Sequence, residues 1–301
     1  MLNRQIRGDA IWYTSDRLYP LTCSVDTTDG KHSLRICHAF STRRGGVSRE
    51  EYLSDMNFGL TLGEDPALTR ENYRRLAAIA GIPYTHLLCA DQTHTARVLT
   101  VGRAQRGMGL MRPSSALLSA DDADAAVSGF DGFVTRESGV ALSIRVADCV
   151  PILFCDPENA VIGACHAGWR GTLDGIACNT VSAMERLGAN RGRVRAVIGH
   201  AVGLCCYVVD RAFRDRFTQK LGDTLCAQFF SEENGRILCD LRACNRLLLL
   251  SYGLLPQNID TSTLCTCCHP DIFHSHRYAQ AHQGGRRGLM ACVISMEETE
   301  E

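Results

Sequence analysis

Apolar residues recur at helical spacing through Leu68, Tyr73, Leu76, Ala77 and Ala80. Asp65-Pro66 ahead of them supplies a cap and a proline at the first helical position, while Gly81 and Pro83 stop the helix. A second stripe, Leu173, Ile176, Ala177, Val181, Met184 and Leu187, predicts a helix over 172–187 closed by Gly188. Further helices are predicted over 209–221 and 240–254, the latter capped by Asp240. Short β-rich runs bounded by Gly, Asp, Pro and Asn occupy 87–90, 96–101, 133–135, 140–146, 151–155, 160–165, 195–199 and 292–295. Residues 38–41 read as one more short strand, and 1–36 as an edge region of alternating patches with a turn near 26–30. Residues 102–128, which carry the acidic run Asp121-Asp122-Ala123-Asp124, read as a long irregular flap. No internal repeat or Pro/Ser-rich linker divides the chain. The pattern predicts one α/β domain over 37–296, between the edge region 1–36 and an acidic tail 297–301.

Composition narrows the class. With 27 Gly and 8 Pro in 301 residues, collagen-like and low-complexity chains are excluded. A net charge of −1 and a mean hydropathy of −0.08 argue against a nucleic-acid coat or a membrane-surface protein. The most apolar stretches, 146–155 and 247–255, are broken by Asp148, Pro151, Ser251 and Gly253. Neither approaches the roughly 18 to 20 residues of a membrane helix. Residues 1–13 contain Arg4, Arg7 and Asp9 and no apolar core, unlike a secretory signal, so a cytoplasmic protein is expected. In that compartment 16 cysteines are not a disulfide framework. Most read as small buried apolar residues, and one or a few as ligands or nucleophiles.

Three soft donors stand at strand ends: His94, Cys149 and His166. Two imidazoles and a thiolate suit a catalytic zinc with one open position, and such a zinc lowers the pKa of bound water. Their spacing matches no local metal motif, so the residues alone favour buried histidines and one more buried thiol over a metal site. Cys149 and His166 also suit a nucleophile–base pair. Asp148 could orient a histidine or cap a turn. Arg170, just before the helix predicted from 172, could hold an anion or simply pair at the surface. The loop Arg43-Arg44-Gly45-Gly46 offers guanidinium groups and backbone amides to an anion, or is a plain turn. Cys265-Thr266-Cys267-Cys268-His269 looks metal-like but lacks a second ligand pair at zinc-ribbon spacing, so its cysteines read as buried thiols at a strand end, as do Cys205-Cys206. His274, His276 and His282 read as a solvated loop.

The order of motifs carries a resemblance. Phe40-Ser41-Thr42-Arg43 precedes Asn57-Phe58-Gly59 and Gln92-Thr93-His94. Asp131-Gly132-Phe133-Val134-Thr135, Ala147-Asp148-Cys149-Val150-Pro151 and His166-Ala167-Gly168-Trp169-Arg170-Gly171 follow, and Phe273-His274-Ser275-His276-Arg277 comes last. Over about 38–295 the chain resembles the YfiH/YlmD family, once called laccase-like polyphenol oxidases. Its members are described as zinc-dependent purine nucleoside phosphorylases with adenosine deaminase activity, and some as peptidoglycan editing factors. The resemblance implies an α+β single domain with a mixed β-sheet flanked by helices, related to the deamidase-toxin fold. It implies His94, Cys149 and His166 as the metal set, holding zinc, with copper as the alternative. Arg43, Asp148 and Arg170 become the catalytic candidates, and Asn57, Gln92 and Asp131 the substrate-binding ones. His200 replaces a usual Pro, Arg287-Gly288-Leu289 replaces a usual Thr-Gly-Arg, and 102–128 is longer than usual.

The expected partners are a purine nucleoside and phosphate, with no nucleic acid and no membrane. Phosphorolysis of adenosine, inosine and methylthioadenosine needs a held phosphate, assigned to Arg43 and Arg170. Deamination of adenosine needs activated water. A copper polyphenol oxidase is disfavoured, because several coppers need paired histidines and only His274-Ser275-His276 forms such a pair. A metal-free Cys149–His166 hydrolase acting on cell-wall precursors is the third reading.

Overall fold

The computed structural model describes residues 1–18, 22–27, 30–113 and 129–299. The chain begins with strands β1 (Leu2–Arg7), β2 (Ala10–Ser15), β3 (Thr22–Thr27) and β4 (Gly30–Ser41). Helix α1 (Pro66–Ala80) is followed by β5 (Leu87–Cys89), β6 (Val98–Thr100), β7 (Gly132–Thr135), β8 (Ala141–Val146), β9 (Val150–Asp156) and β10 (Val161–Ala167). Helices α2 (Trp169–Leu173) and α3 (Ile176–Arg186) lead to β11 (Arg195–Ile198) and β12 (Val208–Val209). Then come α4 (Arg211–Leu221), α5 (Asp223–Cys226), β13 (Phe230–Glu233), β14 (Arg236–Cys239), α6 (Leu241–Tyr252), β15 (Ile259–Thr261), α7 (His276–His282) and β16 (Met290–Glu298). No helix among the described residues is long and apolar enough to cross a membrane.

The expected α+β domain is present, but with three sheets rather than one. A seven-stranded sheet runs β1-β2-β4-β16-β8-β5, with β3 also paired to β4. A six-stranded sheet runs β15-β11-β9-β10-β7-β6. Both are mixed, since β5–β8, β6–β7 and β11–β15 are parallel pairs and the other pairs are antiparallel. The third, β12-β14-β13, is small and antiparallel.

Alternation along the strands sets the layers, because successive side chains point to opposite faces. Ile36, Phe40, Leu142, Ile144, Cys292 and Ile294 face Leu153, Cys155, Ile162 and Ala164 across the space between the two large sheets. The opposite face of the seven-stranded sheet, with Cys37, Ala39, Ala141, Ala291 and Val293, packs on Tyr73, Leu76 and Ala77 of α1. The outer face of the six-stranded sheet packs Ile152, Phe154, Val161 and Cys165 against α3 and α6. The result is helix, sheet, sheet, helices.

Where local signals are strong, the expected elements stand. The Asp65 side chain caps α1 by accepting from Ala67, and Gly81 closes it at φ 70°. Asp240 caps α6 by accepting from Arg242 and Ala243. Elsewhere tertiary pairing redraws the boundaries. The short strand expected at 38–41 is a twelve-residue strand, because β16 pairs with it from Cys292↔Phe40 to Glu298↔Leu34. That pairing also takes Glu297 and Glu298 of the expected tail into β16, while residues 300–301 lie outside the described residues. The helix expected over 172–187 is two helices, broken at Gly175 with φ 81°. The small sheet is an addition to the expected elements, although Asn234-Gly235 between β13 and β14, both at positive φ, is the hairpin signal that predicts it. Much of the expected flap, residues 114–128, lies outside the described residues.

Candidate active site

Two of the chain's crossings between the large sheets carry candidate donors. The chain leaves β5 in one sheet and enters β6 in the other through 90–97, which carries His94. It crosses again from β8 to β9 through Ala147-Asp148-Cys149, where Asp148 takes a φ of 82°. His166 sits near the end of β10, opposite Pro151 at the start of β9. The His94, Cys149 and His166 donor atoms therefore lie within 4.8 Å of one another.

Asp131 organises this cluster. Its fully buried carboxylate accepts the backbone N–H groups of Thr93, His94 and Thr95 at 3.2, 3.1 and 2.7 Å, and the Thr95 hydroxyl at 2.9 Å. The same carboxylate lies 2.7 Å from His166 Nδ1. It thereby holds the His94 loop, with His94 at a φ of 63°, and leaves His166 Nε2 facing the other donors. The two imidazole rings meet edge to face at 4.8 Å, and His94 Nε2 is 3.9 Å from Cys149 Sγ. Gly168 makes room for them, since a Cβ there would meet His94 Cδ2 at 2.8 Å and Cys149 Sγ at 3.4 Å.

Burial opposes charge on both Cys149 and His166, but each stabilises the other's ion, His94 also favours the thiolate and Asp131 the imidazolium. The Cys149 thiol falls to about 6 and His166 rises to about 9. The arrangement favours a thiolate, which is the form that binds a metal. Two imidazoles and a thiolate on an exposed-to-buried gradient fit an open zinc site.

The cluster opens into a cleft of about 390 Å³ lined by His94, Asp148, Cys149, Trp169, Arg170 and Tyr207, with His276, Arg277 and Gln280 of α7 opposite. Asp148 accepts the Thr266 hydroxyl at 2.5 Å and the Arg277 N–H at 2.6 Å, so it ties α7 to the cleft floor. The Arg170 guanidinium lies over the Trp169 ring at 4.3 Å, and that of Arg277 over Tyr207 at 4.9 Å. Burial lowers the His276 imidazole from its ordinary value, and its buried Nδ1 has no hydrogen-bond partner among the described residues. Arg287, half-buried and held below its ordinary value by burial, feels the charges of Asp148 and Cys149.

Folding changes several of the roles that the sequence suggests. Arg43 is not free for an anion: its Nε, Nη1 and Nη2 donate to the carbonyls of Ser54, Pro270 and Glu51. Asn57 is buried, bonding Gly59, Glu64 and Leu289, and is a loop tie rather than a substrate contact. Gln92 pairs both side-chain atoms with the Arg145 backbone, and Asp131 lies behind the ligands. Arg170 does reach the cleft, but only the five-residue α2 stands beside it. His276 and His282 lie on α7 and His274 is buried, not in a solvated loop. The sequence does not single out Tyr207, Arg277 or Gln280 as cleft residues, since α7 and the small sheet that bring them here carry few local signals.

The fold and its cleft define an α+β protein with a His–Cys–His cluster where two sheets exchange their chain. The chain belongs to the family described as multi-copper polyphenol oxidoreductase laccase, whose sequence model matches residues 37–297. It is 36% identical over 263 residues to the purine nucleoside phosphorylase YlmD of Geobacillus stearothermophilus, covering 86% of this chain and 89% of that one. It is 30% identical to the adenosine deaminase RL5 of an unknown prokaryotic organism, covering 86% and 95%. The crystal structure of that YlmD superposes with a TM-score of 0.78 over 98% of this chain and 99% of the other, at 30% identity. The structure of YfiH from Bacillus licheniformis gives a TM-score of 0.76 at 31% identity, covering 92% and 96%.

Proposed function

We propose that the chain is a zinc-dependent purine nucleoside phosphorylase that also deaminates adenosine, with His94, Cys149 and His166 holding the metal. The observation that carries this reading is the convergence of three soft donors on the floor of a cleft of nucleoside size. Among the described residues, the groups of three or more potential ligands are this one and a cluster of four cysteines. Neither contains more than two imidazoles, which speaks against a multi-copper centre. A zinc in this set would supply Lewis acidity at the open coordination position.

The protein's own residues do the rest. Asp131 fixes the His166 tautomer and the His94 loop. Trp169 and Tyr207 form the flat walls that a purine requires, and His276 offers an unpaired ring nitrogen to its edge. Arg170 and Arg277 bring positive charge for phosphate, the latter in the role expected of Arg43. Relatives named for both activities support the pairing of phosphorolysis with deamination.

The Cys149–His166–Asp131 chain also has the order of a thiol nucleophile, its base and an orienting carboxylate. His94 distinguishes the readings, because a hydrolase needs no third soft donor 3.9 Å from the thiol. The deciding experiment incubates zinc-loaded and metal-stripped protein with adenosine or inosine, with and without phosphate, and follows products by chromatography. Phosphate-dependent release of base and conversion of adenosine to inosine, both lost on stripping, are expected. Unchanged nucleosides with the metal fully loaded would end this reading, and activity that survives stripping would end the metal assignment.

A further inference from the structure

The second ligand group lies next along the chain to Val202 and Tyr207, which line the cleft. The sulfurs of Cys205, Cys206, Cys265 and Cys268 are within 4.8 Å of one another. Two turns produce this. In the first, the N–H groups of Cys206 and Tyr207 both donate to the Gly203 carbonyl at 3.0 Å. The second is the Cys265-Thr266-Cys267-Cys268 segment. A parallel bridge between Ala201 and Cys265, with Thr266 N–H donating to the Ala201 carbonyl at 3.0 Å, sets the turns side by side.

Spacing along the chain makes these cysteines buried thiols without a second ligand pair, and the fold corrects that expectation. The pair exists, but it is Cys205-Cys206, brought in from more than sixty residues away along the chain. Nor are they all buried, for Cys205 and Cys268 are exposed. Exposed thiols gain nothing from apolar packing.

The geometry fits a cation. Cys268 Sγ lies 3.5 Å from Cys205 Sγ and 3.4 Å from Cys206 Sγ. A tetrahedral zinc with Zn–S near 2.3 Å holds its sulfurs about 3.8 Å apart, a few tenths of an ångström wider than these two separations. Cys265 and Cys268 form a C-x-x-C pair, the spacing of structural zinc sites. The buried Cys265 Sγ accepts the Gly203 N–H at 3.1 Å and also the Cys268 backbone N–H, contacts that stabilise a thiolate. Gly203 is small by necessity, since a Cβ there would meet Arg242 Nη2 at 3.0 Å and Cys265 Cβ at 3.1 Å. The buried Arg242, whose Nη1 donates to the Ser262 and Leu264 carbonyls, thus sets a positive charge beside the cluster. Four thiolates around one divalent ion carry a net negative charge, which such a cation offsets.

We infer that Cys205, Cys206, Cys265 and Cys268 form a closed tetrathiolate site that binds a structural zinc ion, distinct from the His94 cluster. Binding releases the thiol protons to solvent and forms four Zn–S bonds. Both turns end on the residue before Cys149: the Val202 N–H donates to the Asp148 carbonyl at 3.1 Å, and the Thr266 hydroxyl to its carboxylate. The ion would clamp the wall that carries Val202 and Tyr207 against the floor of the cleft.

The test uses the full chain bearing His94→Ala and Cys149→Ala, purified anaerobically with zinc, so that metal at the first cluster does not enter. About one zinc per chain is expected, with thiolate-to-metal charge-transfer absorption after exchange for cobalt. Adding Cys205→Ser and Cys268→Ser should remove both. In the chain that keeps all four of these cysteines, zinc should also shield their thiols from alkylation while Cys267 still reacts, a readout that needs no folded serine variant. Equal zinc in the two chains, no zinc in either, unshielded thiols, or a disulfide within the cluster of the anaerobic protein would each overturn the site.

Discussion

His166 Nδ1 lies 2.7 Å from Asp131 Oδ1, and the same carboxylate gathers the N–H groups of the loop that presents His94. One buried carboxylate thus aims two of the three donors. Asp131→Asn keeps the volume but replaces an acceptor with an amide that must turn one N–H towards these donors. Zinc affinity should fall by roughly 10- to 100-fold, as expected for the loss of a ligand's orienting partner. Chelator competition measures it, and unchanged affinity would show that the His94 loop needs no such anchor.

Gly168 tests the fit of the donors from the opposite side. A methyl group there would press on His94 Cδ2 at 2.8 Å, a contact that the ring must retreat from. Gly168 caps α2 at a φ of −68°, which alanine adopts freely, so the backbone carries no strain. Gly168→Ala should therefore weaken metal binding and activity together while the melting temperature barely changes. A large drop in melting temperature would point to a structural role instead.

Arg170 separates the two reactions. Its guanidinium lines the cleft over Trp169, and in the proposed phosphorolysis phosphate is the substrate that would need its charge. Losing a charge-assisted contact costs about 1.5 to 3 kcal/mol. Arg170→Ala should then slow phosphorolysis of inosine by roughly one to two orders of magnitude. Adenosine deamination, which uses no phosphate, should fall much less. Equal losses in parallel assays would assign Arg170 to the nucleoside or the fold.

Stability should fall steeply below neutral pH. His38, His200 and His274 are buried, and desolvation, the leading cause at each, lowers them to about 4, 3 and 3. His38 Nε2 also accepts the Ser15 N–H at 2.8 Å, a bond that only the neutral ring can make. In the unfolded chain these rings protonate near 6.5, so unfolding takes up protons between that pH and the folded values. Their stabilisation is present above about 6.5 and drains away as pH falls, by about 2 kcal/mol for each histidine at pH 5. Denaturant midpoints at pH 7, 6 and 5 measure this. A flat profile, or one unaltered by His38→Gln, would contradict the buried neutral state.

Helix α1 and helix α6 are legible because their caps, Asp65 and Asp240, act within three residues of where they stand. Interrupted elements are not. Gly175 inside the stripe 172–187 reads as a tolerated glycine until its left-handed backbone ends α2. Arg43 misleads for a related reason: a guanidinium in a Gly-Gly loop promises an anion site, but it donates to the nearby Ser54 and Glu51 carbonyls and to that of Pro270, more than two hundred residues away along the chain.

By itself the sequence determined the class of the fold, the positions of most strands and capped helices, and the residue types that make up the His94, Cys149 and His166 set. These depend on period, caps and short blocks, which act over a few neighbouring residues. The tertiary structure decided what those residues meet. Asp131 became the anchor of two of the candidate donors because β7 and β10 pair there. Asn57 and Gln92 became backbone ties, Arg277 and His276 came to face the cleft through α7, and two cysteine turns became a single cluster. Each of those outcomes depends on strand pairing and on chain crossings between sheets, and contacts at such separations leave no periodic trace along the chain.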